Sequence, residues 1–232
     1  MTSQERQGIK TNDRTADLTA GLSIGLGSVL SVALMAHHPS ISAGETAEFI
    51  AKMTQLAALA GFVHGGLIVM MFFVLFGFVG FAGRLGWHLA RVRAGMMAYA
   101  IGALSMMGAA LVNGFMVPAL ARSYAGKPVG EMEIFGHLLR LCHEANQALA
   151  GTGVVAMSIA AMSWSLVMVG EAGSARVIGG LGLAMGSLAV VGLLSGHLHL
   201  NLHGMGAVVV AQAVWSVGVA AWLLRPVSSP SS

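Results

Sequence analysis

Long apolar runs alternate with short polar breaks along this chain. The runs fall at about 17–36, 55–83, 94–121, 146–169, 177–196 and 203–224. Each meets or approaches the ~20 residues that carry an α-helix across a ~30 Å hydrocarbon core. The breaks lie at about 37–48, 84–93, 122–140, 170–176 and 197–201. Lipid offers backbone groups no partners, so helices are the natural spanning form. The pattern predicts an all-α, polytopic membrane helical bundle of six transmembrane helices over 17–225, with a polar cytoplasmic tail at 1–16 and a disordered tail at 226–232. The first run, Leu18 to Ala36, is long for a signal peptide, and Leu34 sits where a cleavage site needs a small residue. A retained first helix is expected.

A second regularity lies inside the runs. The second, fourth and sixth begin with His64-Gly65-Gly66-Leu67, Ala150-Gly151-Thr152-Gly153 and His203-Gly204-Met205-Gly206. From His64 to Arg84, Ala150 to Glu171 and His203 to Arg225 the chain advances about 20–22 residues, about 30 Å of helix each. These three starts are expected to share one layer near one face of the membrane. The first and fifth runs rise to the same level, at His37-His38 and His197, and the third rises through Asn113 to end near Pro118. Three related helical hairpins would produce this arrangement.

Composition agrees with a membrane location. The chain is 56% hydrophobic and 9% charged, whereas a soluble domain carries about 25% charged residues. The net charge of +3 gives no reason to expect nucleic-acid binding, and a single cysteine, Cys142, excludes an internal disulfide. Glycine, at 32 residues, suits close helix packing and would permit a homo-oligomer. Arg6, Lys10, Arg14, the Arg84–Arg93 segment, Arg176 and Arg225 fall on one side. Lys52, Arg122, Lys127 and Arg140 fall on the other, diluted by Glu45, Glu48, Glu131 and Glu133. The Lys/Arg excess predicts both termini in the cytoplasm of a bacterial inner membrane.

Histidine supplies the candidate chemistry. Seven of the nine histidines, His37, His38, His64, His143, His197, His199 and His203, end or enter apolar runs. An imidazole in lipid is costly, and it is a ligand and a proton carrier. If the chain is helical from Leu198, His199 and His203 share a face at a spacing that holds a metal. His143 and Gln147 repeat that spacing beside Glu144 and Asn146. The expected cofactor-binding residues are His64, His143, His199 and His203, with His37, His38, His197, His199 and His203 as metal donors. Glu144, Asn113 and Asn201 would orient imidazoles or relay protons as catalytic residues. The plainer alternative is a set of hydrated histidines at helix ends binding nothing, which suits His37 and His38 before Pro39. His88 and His137 are expected in solvent. Among the 16 methionines, the pairs Met70-Met71, Met96-Met97 and Met106-Met107 sit away from the histidines, and flexible packing suits them better than copper. No phosphate loop, paired-cysteine motif or nucleophile elbow occurs.

The segment His197-Leu198-His199-Leu200-Asn201-Leu202-His203-Gly204 resembles the H-x-H-x-N-L-x-G motif of small bacterial membrane proteins related to the haem-binding catalytic subunit of haem–copper oxidases. It departs from the pattern at His203, where that motif carries an apolar residue. The resemblance implies b-type haem or copper on His197 or His199 and a redox role. His199-Leu200-Asn201 and Gly204-Met205 are also similar to styrene oxide isomerase, a helical membrane enzyme with histidine-bound haem b. The leading expectation is a membrane haem- or metal-dependent oxidoreductase, binding haem b, copper or iron and acting on a small or lipid-soluble molecule. A small transporter or channel with a histidine-lined vestibule is the alternative; the nearly apolar cytoplasmic half of every span argues against it. A non-haem di-metal membrane oxygenase is the third.

Overall fold

The computed structural model describes residues 3–41 and 44–225, so the expected tail at 226–232 lies outside the described residues. Those residues hold helices and no strand: α1 (Ser3–Ala36), α2 (Thr46–Leu85), α3 (Ala90–Leu111), a π-helical turn (Val112–Met116), α4 (Val117–Tyr124), α5 (Val129–Met168), α6 (Ser174–Leu194) and α7 (Leu202–Leu224). Because α3, the π turn and α4 run on as one span, six helices are long and apolar enough to cross a membrane. The first helix starts inside the polar 1–16 stretch, and its apolar portion begins at Arg14.

Helix lengths differ from the hydropathy runs. α2 and α5 have 40 residues each, about 60 Å, or twice the hydrocarbon thickness. Their early turns join α4 in a small separate core of Ile50, Ala121 and Phe135. Phe135 packs its ring against Phe49 at 6.2 Å and Tyr124 at 5.4 Å. Outside faces carry helix-spaced ion pairs, Lys52 with Glu48 and Lys127 with Glu131. These turns are amphipathic rather than uniformly oily, so an apolar-run criterion places them in breaks.

The spans form a ring in the order α1, α2, α3, α5, α6, α7 and back to α1, in which α6 and α7 touch least. Between α3 and α5 the backbones come close. A side chain on Gly102 would strike the backbone of Gly153 and Met157, so glycine sets that approach. Phe62, Phe72 and Phe76 of α2 and Leu188 and Leu194 of α6 project outward from the ring. Such exposure is a liability in water and ordinary against lipid.

The end of the bundle carrying the termini, the terminal end, is clamped. Asp17 of α1 pairs with Arg84 of α2, whose guanidinium lies 4.6 Å from the Trp222 ring of α7. Arg14 donates to the carbonyls of Leu223, Leu224 and Arg225, satisfying the carboxyl end of α7. Arg225 reaches Ser174 of α6 at 2.8 Å. Toward the membrane interior, Phe78 stacks on Trp164 at 5.0 Å and on Trp215 at 5.6 Å, with Phe81 edge-on to both. Trp164 donates to the Val92 carbonyl at 3.2 Å. The ring of helices is filled solidly at this level.

Candidate functional site

Beyond the aromatic stack, toward the end of the bundle opposite the termini (the distal end), the helices enclose a cavity of about 220 Å³. Tyr99 lines its floor and touches Phe78 at 4.5 Å, so the stack closes the cavity from below. Methionine and alanine are the commonest residues of the wall. The polar lining comes from His38, His64, Asn113, Asn146, Asn201 and Gln212, with serines of α1 and α7 deeper in.

His64 is the one buried histidine, at 4% exposure, and its place follows from local backbone. It sits mid-helix in α2 opposite Gly114 in the π turn, where even a methyl group would overlap the His64 Cβ. The Val117 amide bonds the Val112 carbonyl, a five-residue step that widens the helix there. Pro118 follows, and its missing N–H leaves the Gly114 carbonyl without a regular helical donor. The wide turn thus makes room for the imidazole and carries Asn113 into the cavity lining.

The His64 ring meets a second ring. Its Nε2 lies 3.2 Å from the Nε2 of His38, with ring centroids 4.8 Å apart in an edge-on arrangement. His64 Nδ1 lies 2.8 Å from the Ala60 carbonyl oxygen. A carbonyl only accepts, so Nδ1 carries the hydrogen and Nε2 of the neutral ring is a lone pair. His38 Nε2 must therefore donate, which in the neutral ring leaves His38 Nδ1 as a lone pair. That atom is buried without a hydrogen-bond partner. Burial lowers the His38 pKa, and the Pro39 carbonyl opposes the shift more weakly. The hydrogen-bond order itself requires only that Nε2 carry a hydrogen; burial, which disfavours the charged ring, is what keeps His38 neutral and Nδ1 a lone pair.

Most of the other expected site residues do not line this cavity. His143, Glu144, His197, His199 and His203 are exposed, and His37 is exposed with Nδ1 at 2.8 Å from the Ala33 carbonyl. The expected convergence of His64, His143, His199 and His203 does not occur as a cluster. Among the described residues, no three His, Cys, Asp or Glu side chains come together to hold a metal ion. The expected His199/His203 helical pair also fails, because α7 starts at Leu202. Asn201 caps that start: its side-chain oxygen accepts from the Gly204 amide at 2.9 Å. His199 is thus left in the preceding loop. Gln147 donates to the Leu200 carbonyl at 3.3 Å, holding that loop against α5. Of the three expected catalytic residues, Asn113 and Asn201 reach the cavity wall and Glu144 does not.

The His38–His64 geometry decides what the pair can hold. Imidazole nitrogens bound to one metal at about 2.0–2.1 Å would stand about 4 Å apart in a trans pair across a haem, and about 3.3 Å apart at a tetrahedral ion. At 3.2 Å they are too close for the first. The second asks for further donors, and no third His, Cys, Asp or Glu among the described residues joins them. The pair as arranged is a hydrogen bond. Gln212, which shares the last apolar run with Ser216, was passed over in the sequence, although a polar group inside a span is a signal for such a wall.

No protein family matches the chain, and no match is found among curated proteins or solved structures.

Proposed function

We propose that the chain is a multi-pass membrane protein that binds a small, largely apolar molecule in its central cavity and exchanges a proton with it through His38 and His64. The observation that carries this reading is the hydrogen-bonded histidine pair in the wall of a closed-floored cavity, ending in a buried lone pair on His38 Nδ1. A buried polar atom left unpaired costs about 1–3 kcal/mol, so its retention points to use. When His38 takes a proton on Nδ1, its Nε2 hydrogen can pass to His64 Nε2, and the Ala60 carbonyl steadies the new cation through Nδ1–H. An acidic or basic group of the bound molecule meets the pair from the cavity, with Asn113 available to orient it. The filled aromatic floor favours chemistry or binding over a continuous path through the membrane. The Lys/Arg distribution supports a mouth on the non-cytoplasmic side of a bacterial inner membrane.

Two measurements test this. In ¹⁵N-histidine spectra of the protein in nanodiscs, His64 should carry its hydrogen on Nδ1 and His38 on Nε2, and His38→Phe should change the His64 signal. The opposite tautomers would overturn the pair's assignment. Mass spectrometry of solvent extracts should find a non-lipid apolar compound with the wild-type protein and not with Ala213→Trp, which fills the cavity. Equal content in both would overturn the binding site. Haem or metal at His64 would require His38 to withdraw and free the facing nitrogens. A Soret band, or stoichiometric iron or copper, lost in His64→Leu would favour that reading over proton exchange.

A further inference from the structure

A second cavity, of about 360 Å³, lies in the α5–α6–α7 seam. Its size is within the range of small-molecule sites, roughly 300–1,000 Å³. α6 and α7 form the loosest neighbouring contact of the ring, and the lining there is small, with Gly182, Gly186, Ala189 and Ala211. Leu188 on its rim is 72% exposed on the face that meets lipid. The seam therefore has a sideways opening into the hydrocarbon, while the exposed His197 lines its loop end.

Two features tie this seam to a ligand. Trp215 lines it and is 4% exposed, yet its indole Nε1 has no hydrogen-bond partner. Ser165 is fully buried, and its Oγ is also unpaired. Both atoms lie against Gly182, where any side chain would collide with them. Indole only donates, so the missing partner is an acceptor. The second feature is continuity: Gln212 and Met157 line both this seam and the central cavity. They form the partition between the two spaces. A flexible thioether and one amide make a wall that rotamer changes can open.

Resting on the proposed function above, we infer that the molecule held at His38–His64 arrives from the bilayer through the α6–α7 seam. Its class is a membrane-dissolved, largely apolar molecule bearing a carbonyl or ether oxygen together with the acidic or basic group that meets the pair. The oxygen pauses on Trp215 Nε1, and Gln212 and Met157 part to admit the molecule to the cavity. The α5–α6 contact is close along the same seam, since a side chain on Gly186 would strike the Ser158 carbonyl, so passage falls to the α6–α7 side.

The test uses the full chain in phosphatidylcholine nanodiscs with a small aryl diazirine dissolved in the bilayer. After illumination, mass spectrometry maps the adducts. Carbene adducts are expected on Met185 in the seam and on Met71 and Met205 in the central cavity. Ala211→Phe, which fills the seam, should lower the cavity adducts at least fivefold while adducts on outward Phe72 and Phe76 stay unchanged. Leu188→Trp, a lipid-facing change that spares the packed interior, should lower them in the same direction if Ala211→Phe does not fold. Cavity labelling that persists in a folded seam variant would overturn the route, and so would a seam that takes no label. Neither result depends on the histidine tautomers or the co-purified compound, so this inference can fail while the proposed function stands.

Discussion

At the terminal end of the bundle the space between helices is filled by Phe78, Phe81, Trp164 and Trp215, and the helix ends are tied by Arg14 and by the Asp17–Arg84 pair. Farther along the same helices that space is left open, and His38, His64, Asn113 and Gln212 face into it. The two halves share a backbone ring and differ in what fills it. Stacked rings bury large apolar areas and gain further from offset and edge-on contact. A cavity forfeits those contacts and leaves polar atoms wanting partners. The contrast teaches that stability is concentrated in one half so that the other can hold an under-packed, polar space.

The largest effect should come from emptying the filled half. Trp164→Ala removes the ring between Phe78, Phe81, Tyr99 and Trp215 together with the bond to Val92, and should cost about 3–5 kcal/mol. Met71→Ala, at the existing cavity wall, should cost nearer 2 kcal/mol, because its surroundings already border a void. Reversible unfolding in mixed micelles measures both. Equal losses would erase the distinction between the halves.

Next comes the clamp. Arg84→Leu leaves Asp17 without its partner and Trp222 without the overlying guanidinium. Uncompensated buried charges cost about 3–5 kcal/mol, but these side chains are 20% and 12% exposed, so about 2–3 kcal/mol is expected. Asp17→Asn in the same background should recover much of the loss, since no buried charge then remains. If the double variant is no better than the single one, the terminal end is held by its aromatic stack alone.

The spans were easier to foresee than what lies between them. Apolar runs of membrane length reported the spans directly, because only lipid tolerates them. They under-reported α2 and α5, whose outer turns face water on one side and carry alternating charges such as Glu48 and Lys52. His64 stood out as an ionisable residue inside an apolar run. His38 was singled out as well, but not as its partner, because the two are 26 positions apart and meet only through the α1–α2 packing. At Asn201 the structure shows a role that the sequence reading did not consider. Asparagine three residues before Gly204 is a helix cap as readily as a catalytic group, and the cap fixes α7 so that His199 and His203 no longer share a helix. Helical spacing holds only where a helix exists.

That cap gives a smaller and more local prediction for the open half. Asn201→Ala should cost about 1 kcal/mol, while Asn201→Asp or Asn201→Ser should keep most of the stability. Faster hydrogen exchange at the Gly204 amide, with unchanged exchange around Trp164, would place the effect in the distal half. A global rise in exchange would instead show that the two halves unfold together.

The smallest effect is a pH dependence confined to the open half. Burial lowers the His38 pKa in the folded protein, whereas the unfolded chain takes up its proton near the ordinary value of about 6.5. Between those two values the unfolded state binds more protons, so this group makes stability rise with pH across that window. Its contribution is complete above about 6.5 and is lost as pH falls through that value toward the folded pKa. His38 is only partly buried, so a shift of less than about 1 kcal/mol is expected. In melting profiles from pH 7.5 to 5, wild type should lose that much more stability than His38→Phe, each referred to its own value at pH 7.5. Parallel profiles would mean that His38 titrates alike folded and unfolded, and the buried lone pair on Nδ1 would then have no bearing on proton exchange.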